Sequence, residues 1–170
     1  CSHATTTADI KKIASSITKL SPEAQESVLN FLIVNDAKAT IPVVQKSLKK
    51  NKDSGAKIAT YKTLSALSGG ANTSFIIDEI ANANEEELKA LKNLLLTAKA
   101  TDVVDVINGS LAGANENTQL ALLDVLSKRS NANSASQVFT LIEKGSPAVR
   151  AAAFKALPNV VNDGDFDQII

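Results

Sequence analysis

Methionine and tryptophan are missing from this 170-residue sequence, cysteine and histidine occur once each, proline four times, and aromatic residues make up only 4%. A single cysteine, Cys1, allows no disulfide within the chain and no thiolate cage for a metal. The one histidine, His3, lies in the first few residues, so a serine–histidine triad would require that segment to dock into the body. Charge of one sign is lacking as well: 18 Lys+Arg oppose 18 Asp+Glu, which gives no global attraction to nucleic acid or anionic lipid. No apolar run approaches the roughly 20 residues needed to span a bilayer, so no transmembrane segment is expected. What is abundant is alanine and leucine, without the alternation of β-branched residues that marks short strands. That balance favours helices.

The chain is long enough for one ordinary domain or for a run of small repeated units. Self-similarity decides between them. Leu157, Leu126, Leu95 and Leu64 are 31 residues apart and Leu32 follows after 32, within the segments "RAAAFKAL", "QLALLDVL", "LKALKNLL", "KIATYKTL" and "QESVLNFL". A small residue accompanies each leucine, at Ser27, Ala59, Ala90, Ala121 and Ala152. Half a period earlier, Ile17, Leu48, Ile80, Leu111 and Ile142 keep the same step. Four residues before them stand Ile13, Val44, Ile76, Ile107 and Val138. Apolar residues at i and i+4 share one face of a helix, so each copy is expected to contain two helices in fixed phase, with these columns as core.

Local signals agree with the boundaries. "SPE" at 21–23 and "SPA" at 146–148 place a capping hydroxyl before a proline at the first helical position. "NEEE" at 84–87 sets acids at the positive end of a helix, and Asp36 and Thr101 are further candidate caps. Pro42 is expected in the first turn of its helix and Pro158 at a kink or an end. "KNKDSG", "SGGANT", "AGANEN", "SNANS" and "NDGD" are turn material.

Motifs that carry chemistry are scarce. "NDGDFD" at 162–167 has alternating carboxylates but ends before the twelfth-position glutamate that a calcium loop needs, so a polar turn is the expectation. "SGG" at 68–70 lacks the lysine of a phosphate loop and is read as a helix stop. The basic stretch at Lys46, Lys49, Lys50 and Lys52 sits at a helix end, where cations complement the dipole. Corresponding stretches of the other copies add no basic patch, and no nucleic-acid partner is expected. No catalytic constellation, metal set or cofactor site is identified.

A unit of about 31 residues built from two helices, the second reading "PAVRAAAFKAL" in the last copy, resembles a short HEAT repeat. Pro147, Val149, Arg150, Ala152 and Leu157 fall on family positions, whereas Gln119, Leu88, Lys57 and Gln25 replace the arginine elsewhere. The resemblance implies an all-α fold: an α-solenoid of stacked antiparallel helix pairs, a HEAT/ARM-like superhelix of about five repeats. Their spans would be 8–35, 36–70, 71–100, 101–131 and 132–162, with 163–170 beginning a sixth after a leader at 1–7. Phe166, Ile169 and Ile170 do not resemble a polar cap, so either the array continues or the tail folds back on the fifth repeat.

The second helices would line the concave side of such a solenoid. One outward column would then run Asn30, Lys62, Asn93, Asp124 and Lys155, with Gln25, Lys57, Leu88, Gln119 and Arg150 on an adjacent strip. Mixed charge and amides suit recognition of a protein or peptide, and equally a face that binds nothing. A monomeric, non-enzymatic scaffold or protein-binding module is the first expectation. The alternative is an accessory region of a larger secreted bacterial enzyme, such as a carbohydrate-active one. Cys1 followed by the polar tether "SHATTTAD" is read either as the lipid-bearing start of a bacterial lipoprotein, periplasmic or at the cell surface, or as a tag-removal remnant.

Overall fold

A computed structural model of the chain describes residues 6–69, 72–99, 101–129 and 132–161. The described residues form an all-α protein, with ten α-helices and no strand among them. They divide into two compact units, residues 1–72 and 73–170. The first holds α1 (Thr7–Ser15), α2 (Pro22–Val34), α3 (Ile41–Leu48) and α4 (Ser54–Ser68). The second holds α5 (Thr73–Ile80), α6 (Glu85–Thr97), α7 (Val103–Leu111), α8 (Glu116–Arg129), α9 (Ala135–Lys144) and α10 (Pro147–Ala156). Among the described residues no helix is long and apolar enough to cross a membrane.

The helices start where polar caps satisfy their first N–H groups. Ser21 Oγ accepts from Ala24 N at 3.4 Å, Asn84 Oδ1 from Glu87 N at 2.9 Å, and Ser146 Oγ from Val149 N at 3.3 Å. Pro22 and Pro147 occupy the first turn of α2 and α10, and Pro42 that of α3. Pro158 lies in a 3-10 turn, Leu157–Asn159, that ends α10. At the far end of α4, Gly69 turns left-handed at φ 63° and its N–H reaches Ala66 and Ser65 carbonyls, so "SGG" stops the helix.

Two expected caps and part of the leader differ. Asp36 closes the preceding helix and does not open the next. With φ at 44° it is the left-handed residue after α2; its N–H reaches Ile33 O at 3.0 Å and the Ala37 N–H reaches Leu32 O at 3.0 Å. Aspartate tolerates that conformation better than most residues, which is why it serves at both helix ends. Thr101 is displaced by Asp102, the residue that flanks α7, and Asp102 makes no side-chain cap bond. The tether "SHATTTAD" is helical in its second half: Thr6 and Asp9 form a reciprocal capping box at the start of α1. The hydroxyl and backbone N–H of Thr6 both donate to the Asp9 carboxylate and hold its pKa below the usual carboxylate value. Cys1, His3 and residues 162–170, with the "NDGDFD" and sixth-repeat readings, lie outside the described residues.

In each unit, consecutive helices pack as pairs and the second helix of one pair packs on the second helix of the next. Thus α2 meets α1 and α4 in the first unit, while α8 meets α6, α7 and α10 in the second. The shorter helices follow the same order in α1 against α3 and α5 against α7. Burial follows the periodic columns. Every member of the three aliphatic columns is at most 4% exposed except Ile13, Ile142 and Leu157, which are half-buried and belong to the first and last copies. Helix α4, packed on α2 and α3, buries Tyr61, Leu64 and Leu67, and α8, packed on α6, α7 and α10, buries Leu122, Leu123, Val125 and Leu126. The buried hydroxyls of Thr60 and Thr63 donate to Ala56 O and Ala59 O one turn back, so their burial leaves no orphan donor.

Leu126, fully buried in α8, provides the check on this register. Leu126→Ala should lower the unfolding free energy by about 2–5 kcal/mol in a denaturant titration. A cost below about 0.5 kcal/mol would place the residue at the surface and contradict the packing.

Candidate functional site

The second helices of the pairs carry the column that the repeat pattern directs outward. Asn30, Lys62, Asn93 and Lys155 are exposed, and Asp124 is half-buried. On the adjacent strip Arg150 is exposed, Lys57, Leu88 and Gln119 are half-buried, and Gln25 is only 6% exposed. Two of these residues are already occupied by hydrogen-bond partners. Gln25 Nε2 donates to Leu20 O at 3.0 Å while its Oε1 accepts from Asn51 Nδ2 at 2.8 Å. Gln119 Nε2 donates to Leu111 O at 2.9 Å. Gln119 fastens the start of α8 to the last residue of α7 and satisfies a carbonyl that helix leaves over, while Gln25 ties the start of α2 to the turn before it and to Asn51 after α3.

Asp124 likewise has partners close at hand. Lys92 Nζ, on α6, lies 2.7 Å from its carboxylate, and Lys128 Nζ, one turn along α8, lies 2.9 Å away. Partial burial pushes the Asp124 pKa up, but the hydrogen bonds and charges of the two lysines outweigh it, and the net shift is downward. A turn further on, Arg129 Nη1 donates to Leu95 O at 2.6 Å and to Leu96 O and Ala98 O, both at 3.2 Å. The guanidinium therefore caps the carboxyl end of α6, where the dipole is negative and the last carbonyls lack helical partners. These two cross-helix links hold α6 and α8 in register on the outward side, while Leu91, Leu95 and Leu126 hold them from the core.

Between the fastened helices an open groove of about 370 Å³ remains. Leu88 and Lys92 line it from α6, Asn117 and Leu120 from α8, Ile80 from the end of α5 and Ala83 from the turn after it. The small Ala121 leaves the floor open, and the half-buried Leu88 and Leu120 make it apolar. Lys92 and Asn117 supply polar groups at the rim. Leu88 and Lys92 lie one turn apart on α6, and Asn117 with Leu120 and Ala121 do the same on α8, so the groove follows from helical spacing.

Comparison with protein-family models, curated proteins and solved structures gave no match. The function must be read from the site itself. Among the described residues there is no grouping of three or more His, Cys, Asp or Glu able to hold a metal. The groove offers apolar contact, one cation already neutralised by Asp124, and amide hydrogen bonding. Such chemistry can seat a side chain of a partner.

The structure brings only part of the proposed surface to this groove: Leu88 lines it and Asp124 braces it through Lys92. Asn30, Lys62 and Lys57 belong to the other unit. Lys92 and Arg129 were not singled out from the sequence. The signal for both was spacing, since each reaches a partner about one copy away, Lys92 to Asp124 and Arg129 to Leu95.

Two substitutions separate the braces. Asp124→Asn removes a carboxylate whose folded pKa is depressed, so its stabilisation is complete above the unfolded value of about 3.9 and is lost as pH falls through the lower folded value. The melting-temperature gap between wild type and this variant should therefore be constant near neutrality and shrink below about pH 4. Arg129→Ala should instead cost about 1.5–3 kcal/mol with little dependence on pH. A pH-independent gap for Asp124→Asn would show that the lysines do not hold that carboxylate.

Proposed function

We propose that the chain is a non-catalytic α-solenoid of about five HEAT-like helix pairs that acts as a scaffold, binding a protein or peptide on the face formed by the second helix of each pair. The groove between α6 and α8 carries this reading. Its walls are half-buried leucines within a polar rim, the arrangement by which one apolar anchor is seated and water excluded around it. The two braces favour a preformed groove, because Asp124 and Arg129 fix α6 against α8 before any partner arrives and reduce the ordering cost of binding. Support for the stacked arrangement comes from the 31-residue columns and from the packing of successive pairs within each unit.

Peptides selected from a displayed random library against the full chain test the face. Leu88→Asp with Leu120→Asp places two charges in the groove at positions that are not fully buried, so helicity should be retained. The selected peptides should bind this variant about tenfold or more weakly, whereas Asn30→Ala, in the other unit, should leave them unaffected. Binding that survives both aspartates would remove the groove from the account.

A further inference from the structure

The net charge of zero conceals a division between the two units. Residues 1–72 contain ten lysines and five acidic residues, a net charge of +5; residues 73–170 contain eight lysines and arginines against thirteen acids, a net charge of −5. The first unit therefore attracts anions, which the whole-chain balance hides. Within it, α1 and α3 flank a groove of about 440 Å³. Ala14, Pro42 and Val43 form its apolar lining, Thr18 stands on the α1 wall, and Lys46 and Lys50, one turn apart, rise from the α3 side. Both lysines are exposed, and neither has a carboxylate at ion-pair distance among the described residues. Lys11 lies one turn before Ala14 and Ser15 on the same face of α1 and extends the basic character along the groove.

We infer that the groove between α1 and α3 binds an acidic peptide segment in which carboxylates flank an apolar side chain. The apolar residue enters against Ala14, Pro42 and Val43, and the carboxylates pair with Lys46 and Lys50 at the rim. Charge complementarity selects this occupant. A single-stranded nucleic acid would want aromatic platforms for its bases, and no aromatic side chain lines the groove. The volume lies in the range of about 300–1,000 Å³ typical of ligand clefts and suits one inserted side chain with its neighbours. This inference rests on the reading of the chain as a protein-binding module, though not on the α6–α8 groove.

The test uses the full chain and a labelled peptide, Asp-Glu-Leu-Glu-Asp, followed by fluorescence anisotropy. Saturable binding is expected, weakened when serine replaces the leucine and about tenfold or more when Lys46→Glu and Lys50→Glu reverse the rim. Circular dichroism of that variant should match wild type, since both lysines are exposed. Absence of saturable binding overturns the inference, as does an oligothymidylate of equal charge that competes as tightly as the peptide. Binding that persists in the lysine variant but disappears in Leu88→Asp with Leu120→Asp also overturns it, while leaving the protein-binding reading in place. That reading fails separately if library-selected peptides lose affinity in neither variant.

Discussion

A helix of eight to fifteen residues with one apolar face is not stable by itself in water, and this chain is built almost entirely from such helices. Everything else follows from the need to cover those faces. The aliphatic columns supply the cover: each is filled by valine, isoleucine or leucine once per copy, and in the interior copies every position is nearly or fully buried. With the described prolines confined to the first turns of helices and one 3-10 turn, the chain can repeat the same solution without long connections. In the proposed stacking the hydrophobic term would be divided among many similar contacts between neighbours and not concentrated in a single centre.

On that frame the polar residues take two kinds of position. Some are consumed by the architecture, as when Gln119 binds the carbonyl that ends α7 and Gln25 one in the turn before α2, or Arg129 gathers three carbonyls at the end of α6. Others remain at the surface, such as Lys46 and Lys50 beside α1, and these are free to set charge and partner preference. The difference decides what a surface column can do. A glutamine held from both sides adds rigidity to a face, whereas a lysine without a carboxylate adds attraction to it.

Periodicity made the helices and their buried faces legible, because hydrophobic spacing is a property of the sequence itself. Ser21, Asn84, Ser146 and the first-turn prolines were legible for the same reason: capping acts over three residues. Asp36 was misassigned because an aspartate in a short turn can serve either the helix before it or the helix after it, and the backbone angle decides. Thr101 lost its role to its neighbour Asp102, a shift of one residue that spacing does not resolve. Gln25 and Gln119 looked outward on a helical projection, yet long side chains reach beyond the face on which they start. The Lys92–Asp124–Lys128 cluster and the α1–α3 groove depend on which helices become neighbours, and the opposite charges of the two units emerge only once the chain is divided.

If neighbouring copies are equivalent building blocks held by nearest-neighbour contacts, as proposed, one copy can be removed without unfolding the others. Excision of residues 101–131, one full copy, followed by circular dichroism and chemical unfolding, tests it most directly. The account predicts a shorter chain with the same helicity per residue, a cooperative transition, and an m value reduced in rough proportion to the surface removed. Loss of helicity, or a broad non-cooperative transition, would mean that the helices depend on one closed core and would contradict the repeat architecture.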